Sequence, residues 1–266
     1  MSEAPDKEPA IPAWRSAITE ADGEHLRIRG EGVIGLMRNA SFCDVVGLLL
    51  NGRLPDQGER RLLDSILIAI ADHGAGAPSA AAARVVASGN RQAPEAAIAA
   101  GILAIGDAHG GAGLACFHVI QEGLERASRE QLSIDQLASV VVEEARLSKR
   151  RLPGFGHRMY REDPRSVALL ALADELGKSH DGVRLVRAIE QAFGRSGKPL
   201  PVNVDGAMAG VLVDLSYPAL AAKLMFIIGR TAGLSAHVIE EYTRERPMRI
   251  KIPVTYDGRA PHPTDS

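Results

Sequence analysis

The chain has 266 residues, 45% of them hydrophobic and 24% charged, with a formal net charge of -2. That length and apolar content suit one or two domains with a real core. The near-neutral balance gives no general electrostatic reason to expect a nucleic acid or an acidic membrane as partner.

The acidic, proline-broken start "MSEAPDKEPAIPAW" is unlike a secretory signal, and residues 1–13 read as a disordered tail. "HLRIRG" is a candidate short strand. "SFCDVVGLLLNGRLP" opens with a Ser-x-x-Asp capping pattern and closes on Asn51-Gly52 and Pro55, so it predicts a helix. "PEAAIAAGILAIG" predicts another, with Pro94 at a first helical position and Ile98, Ile102 and Ile105 at helical spacing. "RSVALLALADELG" sets Leu169, Leu172, Ala173 and Leu176 on one helical face and ends at Gly177. "PALAAKLMFIIGR" does the same with Leu220, Leu224 and Ile227 behind Pro218; its apolar run is too short to span a bilayer and contains Lys223. "MRIKIPVTYDG" is the second candidate for a short strand pair, and residues 257–266 read as a tail. The expected class is mostly α, in a soluble cytoplasmic protein. Cys43 and Cys116 sit in apolar stretches without metal-ligand spacing and read as buried thiols.

Several of the eight histidines stand among glycines: His73 in "ADHGAG", His109 in "GDAHGGAG", His157 in "PGFGHR". Glycine leaves room for backbone and ligand to approach an imidazole. Taken alone, each reads more readily as a turn or helix-end residue bonding a carbonyl, although three such contexts in one chain weigh against that. No His-x-x-x-His or Cys-x-x-Cys pattern accompanies them, so no metal is expected. Asp205 in "PVNVDGAMAGVLVDL" falls near a helix start, where it reads either as an N-cap or as a carboxylate base beside a glycine. Arg165, Arg230 and Arg246 all neighbour helix breakers and supply forks for carboxylates. The glycine loops fit neither a dinucleotide fingerprint nor a P-loop. Together these pieces suggest a pocket for a small polycarboxylate.

"LPGFGHRMYREDPR" resembles the citrate synthase signature, and "NVDGAMAG", "GDAHGGAG", "ADHGAGAPSAAAARVVAS" and "SFCDVVGLLLNGRLP" resemble further segments of that family in the same order. The resemblance runs from about residue 26 to residue 256. Typical members are longer, and the missing stretch falls between "GRLPDQGERR" and "ADHG". "ADHG", "GILAIGDAHGGA" and "NVDGAMAGVLVDL" look closer to the citryl-CoA lyase module of ATP-citrate lyase. Unlike that module, the chain keeps a histidine, His109, at the position citrate synthases use to stabilise an enol.

The resemblance implies a large helical domain (14–111 and 217–256), a smaller one (112–216), an active site in the cleft and a homodimer or higher homo-oligomer. It implies Asp205 as base at the carbon α to a thioester, His109 as donor to the enol oxygen and His157 as acid-base at the keto or hydroxyl oxygen. His73, Arg165, Arg230 and Arg246 would hold carboxylates, Arg246 reaching a partner's site. Lys149, Arg150, Arg151, Leu152, Pro153, Gly154, Phe155 and Gly156 would meet coenzyme A, a thioester substrate rather than a permanent cofactor. The implied reaction is citryl-CoA cleavage to acetyl-CoA and oxaloacetate, with a citryl-CoA-forming ligase as a conceivable partner. Condensation by a citrate or 2-methylcitrate synthase is the alternative, and a non-catalytic CoA-binding subunit the second alternative.

Overall fold

The computed structural model describes residues 14–156 and 161–259. Both expected tails fall at its edges: 1–13 and 260–266 lie outside the described residues, as does His157. Two compact units divide the chain after Asp64.

In the first unit, β1 (Thr19–Ala21), β2 (Leu26–Ile28) and β3 (Glu31–Gly32) form an antiparallel sheet in that order. "HLRIRG" supplies β2 and the turn into β3. Arg29 and Gly30 carry φ of 51° and 87° there, the two left-handed positions that a two-residue hairpin loop requires. Helix α1 (Val33–Asn39) follows, then α2 (Phe42–Asn51). Ser41 and Asp44 cap α2 reciprocally, and Gly52 ends it in the left-handed conformation. Helix α3 (Gln57–Ala71) starts in this unit and continues into the second.

The second unit holds α4 (Pro78–Gly89), α5 (Pro94–Leu103), α6 (Ala112–Glu130), α7 (Ile134–Leu147), α8 (Pro164–Glu175), α9 (Asp181–Arg195), α10 (Val204–Asp214) and α11 (Leu220–Arg244). The expected mostly helical class is what forms. Helix α10 is the hub of one group: it is buried along almost its whole length, packing on α6, α8 and α9, while α7 packs on α9. Helix α11 lies on α4 and α5, which also pack on each other. Small residues set these distances. A Cβ on Gly101 would sit 2.8 Å from Leu234, and one on Gly182 would sit 2.6 Å from the Gly210 carbonyl. Asp214 at the end of α10 accepts the N–H groups of His180, Gly182 and Val183, closing the open N-terminus of α9.

Two expectations change. Helix α11 runs on past Arg230 to Arg244, because no breaker intervenes before Pro247 and Gly229 and Gly233 are spent on close packing rather than on turns. "MRIKIPVTYDG" forms no ladder among the described residues. Its Met248 N–H bonds the Ser88 carbonyl, Arg249 is tied to Glu241 and Glu245, and Pro253 removes a donor from its centre. No helix among the described residues is long and apolar enough to cross a membrane. Both cysteines are buried and free.

A Cβ on Gly206 would overlap the Gly154 carbonyl, and neither backbone can give way. Gly206→Ala is therefore expected to cost roughly 1–3 kcal/mol even though alanine favours helices. Gly194→Ala, on α9 with open space around it, is expected to gain up to about 1 kcal/mol. Denaturation midpoints of the two variants, measured side by side, check the sign of each.

Candidate functional site

The site is built around the start of α10. Asn203 is the N-cap: its side-chain oxygen accepts the N–H groups of Asp205 and Gly206 at 3.0 and 3.2 Å. That removes the N-cap reading of Asp205, which stands in the first turn of the helix, two residues past the cap. Its Oδ1 is buried and has no hydrogen-bond partner among the described residues. Burial pushes the carboxyl up to about 6, against the pull of the Arg165 and Arg230 charges. An unsatisfied buried carboxyl titrating near neutrality is what proton exchange with carbon requires.

Two neighbours fix that helix start. Asp163, fully buried, accepts the Val204 N–H at 3.0 Å, the Arg165 N–H, and the Arg165 guanidinium through Nε and Nη2 at 3.0 and 2.9 Å. Burial opposes its charge, but Arg165 and the Val204 N–H hold its carboxyl below the usual range. On the other side lies the "PGFG" turn. Gly154 and Gly156 adopt φ of 83° and 81°, Asn203 N–H bonds the Gly154 carbonyl, and Asn203 Nδ2 bonds that of Gly156. Phe155 points away, into the core against Phe193.

His109 sits on a tight loop closed by reciprocal backbone bonds with Gly106. Its Nε2 meets Ser79 twice, the backbone N–H at 3.3 Å and Oγ at 2.9 Å. The Ser79 N–H can only donate, so Nε2 accepts and Nδ1 carries the ring proton. Burial first, then the charges of Arg230 and His73, lower the His109 pKa, which keeps the ring neutral and its Nδ1–H a donor. Arg230, also buried, donates to the Ile70 carbonyl at 3.0 Å and to Ser79 Oγ at 3.2 Å, with its guanidinium 4.8 Å over Phe226. Phe226 meets the His109 ring edge-on from the other side.

Arg230 links the two halves of the site: its charge acts on His109 together with that of His73, and on Asp205 together with that of Arg165. A Cβ on Gly113, at the start of α6, would lie 3.7 Å from Asp205 Oδ1, so the loop bearing His109 leads directly to the carboxyl. Arg246 is not part of this group: it is exposed past the end of α11. Of the expected CoA-binding residues, Arg150, Arg151, Leu152 and Pro153 line a groove of about 410 Å³ with Val119, Val141 and Arg126 of α6 and α7. Lys149 is exposed where the chain leaves α7 with φ of 52°. Ser79, Asp163 and Asn203 were not singled out from sequence; "DPR" and "NVD" contain two of them, and Ser79 carries no local signal beyond Pro78 before it. Among the described residues no cluster of histidine, cysteine and carboxylate groups could hold a metal ion.

A sequence profile described as "Citrate synthase, C-terminal domain" matches residues 55–251. The chain belongs to the citrate synthase family. Within that family, the citrate/2-methylcitrate synthase of Bacillus subtilis is 31% identical over 77% of this chain and 53% of its own length. A putative citrate synthase 2 of Mycobacterium bovis is 35% identical over 70% of this chain and 49% of its own. The chain thus spans about half the length of the curated relatives it matches. The structure of a citryl-CoA lyase from Hydrogenobacter thermophilus superposes with a TM-score of 0.86 at 36% identity, covering 94% of this chain and 97% of that one. ATP citrate lyase from Methanothrix soehngenii shares the fold, with a TM-score of 0.76 at 21% identity, over 94% of this chain and 43% of that one. The profile's span takes in every candidate residue from His73 to Arg246.

The raised Asp205 pKa has a consequence for stability. Its value of about 6 lies above the ordinary 3.8, so ionising the carboxyl destabilises the fold. The penalty is absent below pH 3.8 and complete above 6, reaching on the order of 3 kcal/mol. Asp205→Asn should raise the denaturation midpoint at pH 7.5 and lose that advantage near pH 4; a variant less stable than wild type at pH 7.5 would contradict the assignment.

Proposed function

We propose that this member of the citrate synthase family is a citryl-CoA lyase, splitting citryl-CoA into acetyl-CoA and oxaloacetate. The observation that carries this reading is the superposition on a citryl-CoA lyase along nearly its whole length at a TM-score of 0.86 and 36% identity. Condensation of acetyl-CoA or propionyl-CoA with oxaloacetate is the second reading, favoured by the names of those curated relatives.

Cleavage needs the citryl hydroxyl proton removed, the carbon–carbon bond broken and a proton delivered to the acetyl carbon. His157 takes the first role by its place in the family signature. As the bond breaks, the thioester carbonyl becomes an enolate oxygen, and the Nδ1–H of a neutral His109 donates to it; such a donor is worth roughly 3–4 kcal/mol of barrier. Protonated Asp205 then hands its proton to the carbon. His73, Arg165 and Arg230 hold the carboxylates of the oxaloacetate half. The groove beside Arg150 to Pro153 offers coenzyme A an apolar wall and the Arg150 and Arg151 charges, alongside Glu122 and the Arg126-paired Glu144, which supports assigning residues 150–153 to it. In the same reading α6 to α10 are the small domain (112–216), and 14–111 with 217–256 the large one. Arg246, exposed beyond α11, reaches a second subunit's site in a homodimer.

Incubating the protein with citryl-CoA should release oxaloacetate without free thiol. Incubation with acetyl-CoA and oxaloacetate that yields citrate and free coenzyme A would replace this reading by the synthase one. The pH dependence tests Asp205 separately. Because cleavage uses its protonated form, kcat/KM for citryl-CoA should fall up to tenfold per unit above about pH 6, a limb that Asp205→Asn removes along with nearly all turnover.

A further inference from the structure

Behind the candidate site runs a chain of ion pairs that the mechanism above does not use. Asp72, next to His73, accepts from the Gly74 N–H at 2.9 Å and from His237 Nε2 at 3.0 Å. On its other side, His237 Nδ1 lies 3.2 Å from Arg84 Nη1. Arginine only donates, so Nδ1 accepts and Nε2 carries the proton that binds Asp72. Arg84 pairs with Glu240 and, through Nη2 at 2.9 Å, with the fully buried Glu241. Glu241 in turn holds Arg249 through both oxygens. His237 is nine-tenths buried, and its two nitrogens are matched to one anion and one cation in a single tautomer.

The turn at the far end of this chain is held by bonds from backbone N–H groups, among them Gly74 N–H to the Asp72 carboxyl and Ala77 N–H to the Gly74 carbonyl. His73 and Gly74 are exposed, and Gly74 has φ of 86° with nothing within 4 Å of a Cβ there. Asp72 is the side chain that ties this turn to α11, through Gly74 on one side and His237 on the other. Burial opposes its charge, yet the bonds from Gly74, His237 and His73 keep its carboxyl below the usual range, so it stays an acceptor.

We infer that His237 is a positioning residue for oxaloacetate binding: it fixes Asp72, and through Asp72 the orientation of the His73 turn. The inference rests on the proposed reading of His73 as a carboxylate ligand. It requires that His237 touch no substrate itself and that its effect fall on the dicarboxylate rather than on coenzyme A, whose groove is lined by other elements. A glutamine at 237 keeps a donor near the Nε2 position and an acceptor; a leucine keeps only bulk.

The test is calorimetric binding of oxaloacetate and, separately, of coenzyme A to the full chain, for wild type, His237→Leu, His237→Gln and Asp72→Ala. His237→Leu and Asp72→Ala should each weaken oxaloacetate about tenfold, His237→Gln no more than about threefold, and none should change coenzyme A affinity. Asp72 has its side chain 45% exposed, so its removal leaves a folded protein even where the leucine variant does not fold. Unchanged oxaloacetate affinity in a folded His237→Leu or Asp72→Ala variant overturns the inference while leaving the parent reading intact. Parallel loss of both ligands also overturns it, as a general structural effect. A wild type that binds coenzyme A but no oxaloacetate overturns the parent reading and the inference together.

Discussion

The arrangement of the site depends on how closely α11 approaches the end of α3. A Cβ on Gly233 would overlap the Ala71 carbonyl, and one on Gly229 would sit 2.7 Å from Ile70. Two glycines inside a helix cost about 1 kcal/mol each against alanine, and here they let two backbones touch. The consequences follow at helical spacing. Arg230, beside the first glycine, bonds the Ile70 carbonyl and Ser79; His237, one turn past the second, meets Asp72. Were the helices about a side chain further apart, neither the Arg230–Ile70 nor the His237–Asp72 bond would form.

A second approach, Gly154 against Gly206, does the same for the acid. Asn203, Asp163 and the "PGFG" turn together satisfy the backbone donors at the start of α10. With those donors met by other side chains, Asp205 has no structural bond to make. Among the described residues, one of its carboxyl oxygens thus stays unpaired in a buried place. Such an unpaired group is a local cost of order 1–3 kcal/mol, which fits a group kept for chemistry rather than for the fold.

Much of this was legible in the sequence because it is local. The Ser41 capping box, Pro94 at the start of α5 and Gly177 after α8 are short-range signals, and each lies where its chemistry predicts. The glycines around His73 and His109 correctly marked loops where a ring could be reached. What stayed hidden is long-range. Ser79 and His109 are 30 residues apart, Asp72 and His237 165 apart, and no spacing rule links them. The strand expected over "MRIKIPVTYDG" failed for the same reason: alternation describes a segment's faces but not whether an edge waits for it. Asp205 was ambiguous because an N-cap and a first-turn acid differ by two residues, and only the Asn203 bonds separate them.

The charge balance of the site carries the last step. Asp163 pairs with Arg165 through a two-point contact, yet Arg165 remains the strongest charge drawing the Asp205 carboxyl down, ahead of Arg230, and burial outweighs both. Arg230 differs: its described bonds go to a carbonyl, a hydroxyl and an aromatic face, all neutral. Burial lowers its pKa, with Asp72 and Asp205 as the anions that oppose this from a distance. A buried guanidinium without a bonded carboxylate is a costly state, whereas a paired one can approach break-even. A dianionic ligand would supply the missing counter-charge, and its own desolvation would be offset by a cation already stripped of water. The same ligand would draw the Arg230 charge away from Asp205 and raise that carboxyl's proton affinity further, favouring the protonated form that the proposed cleavage uses. Binding of the carboxylates and readiness of the acid are therefore coupled through one arginine.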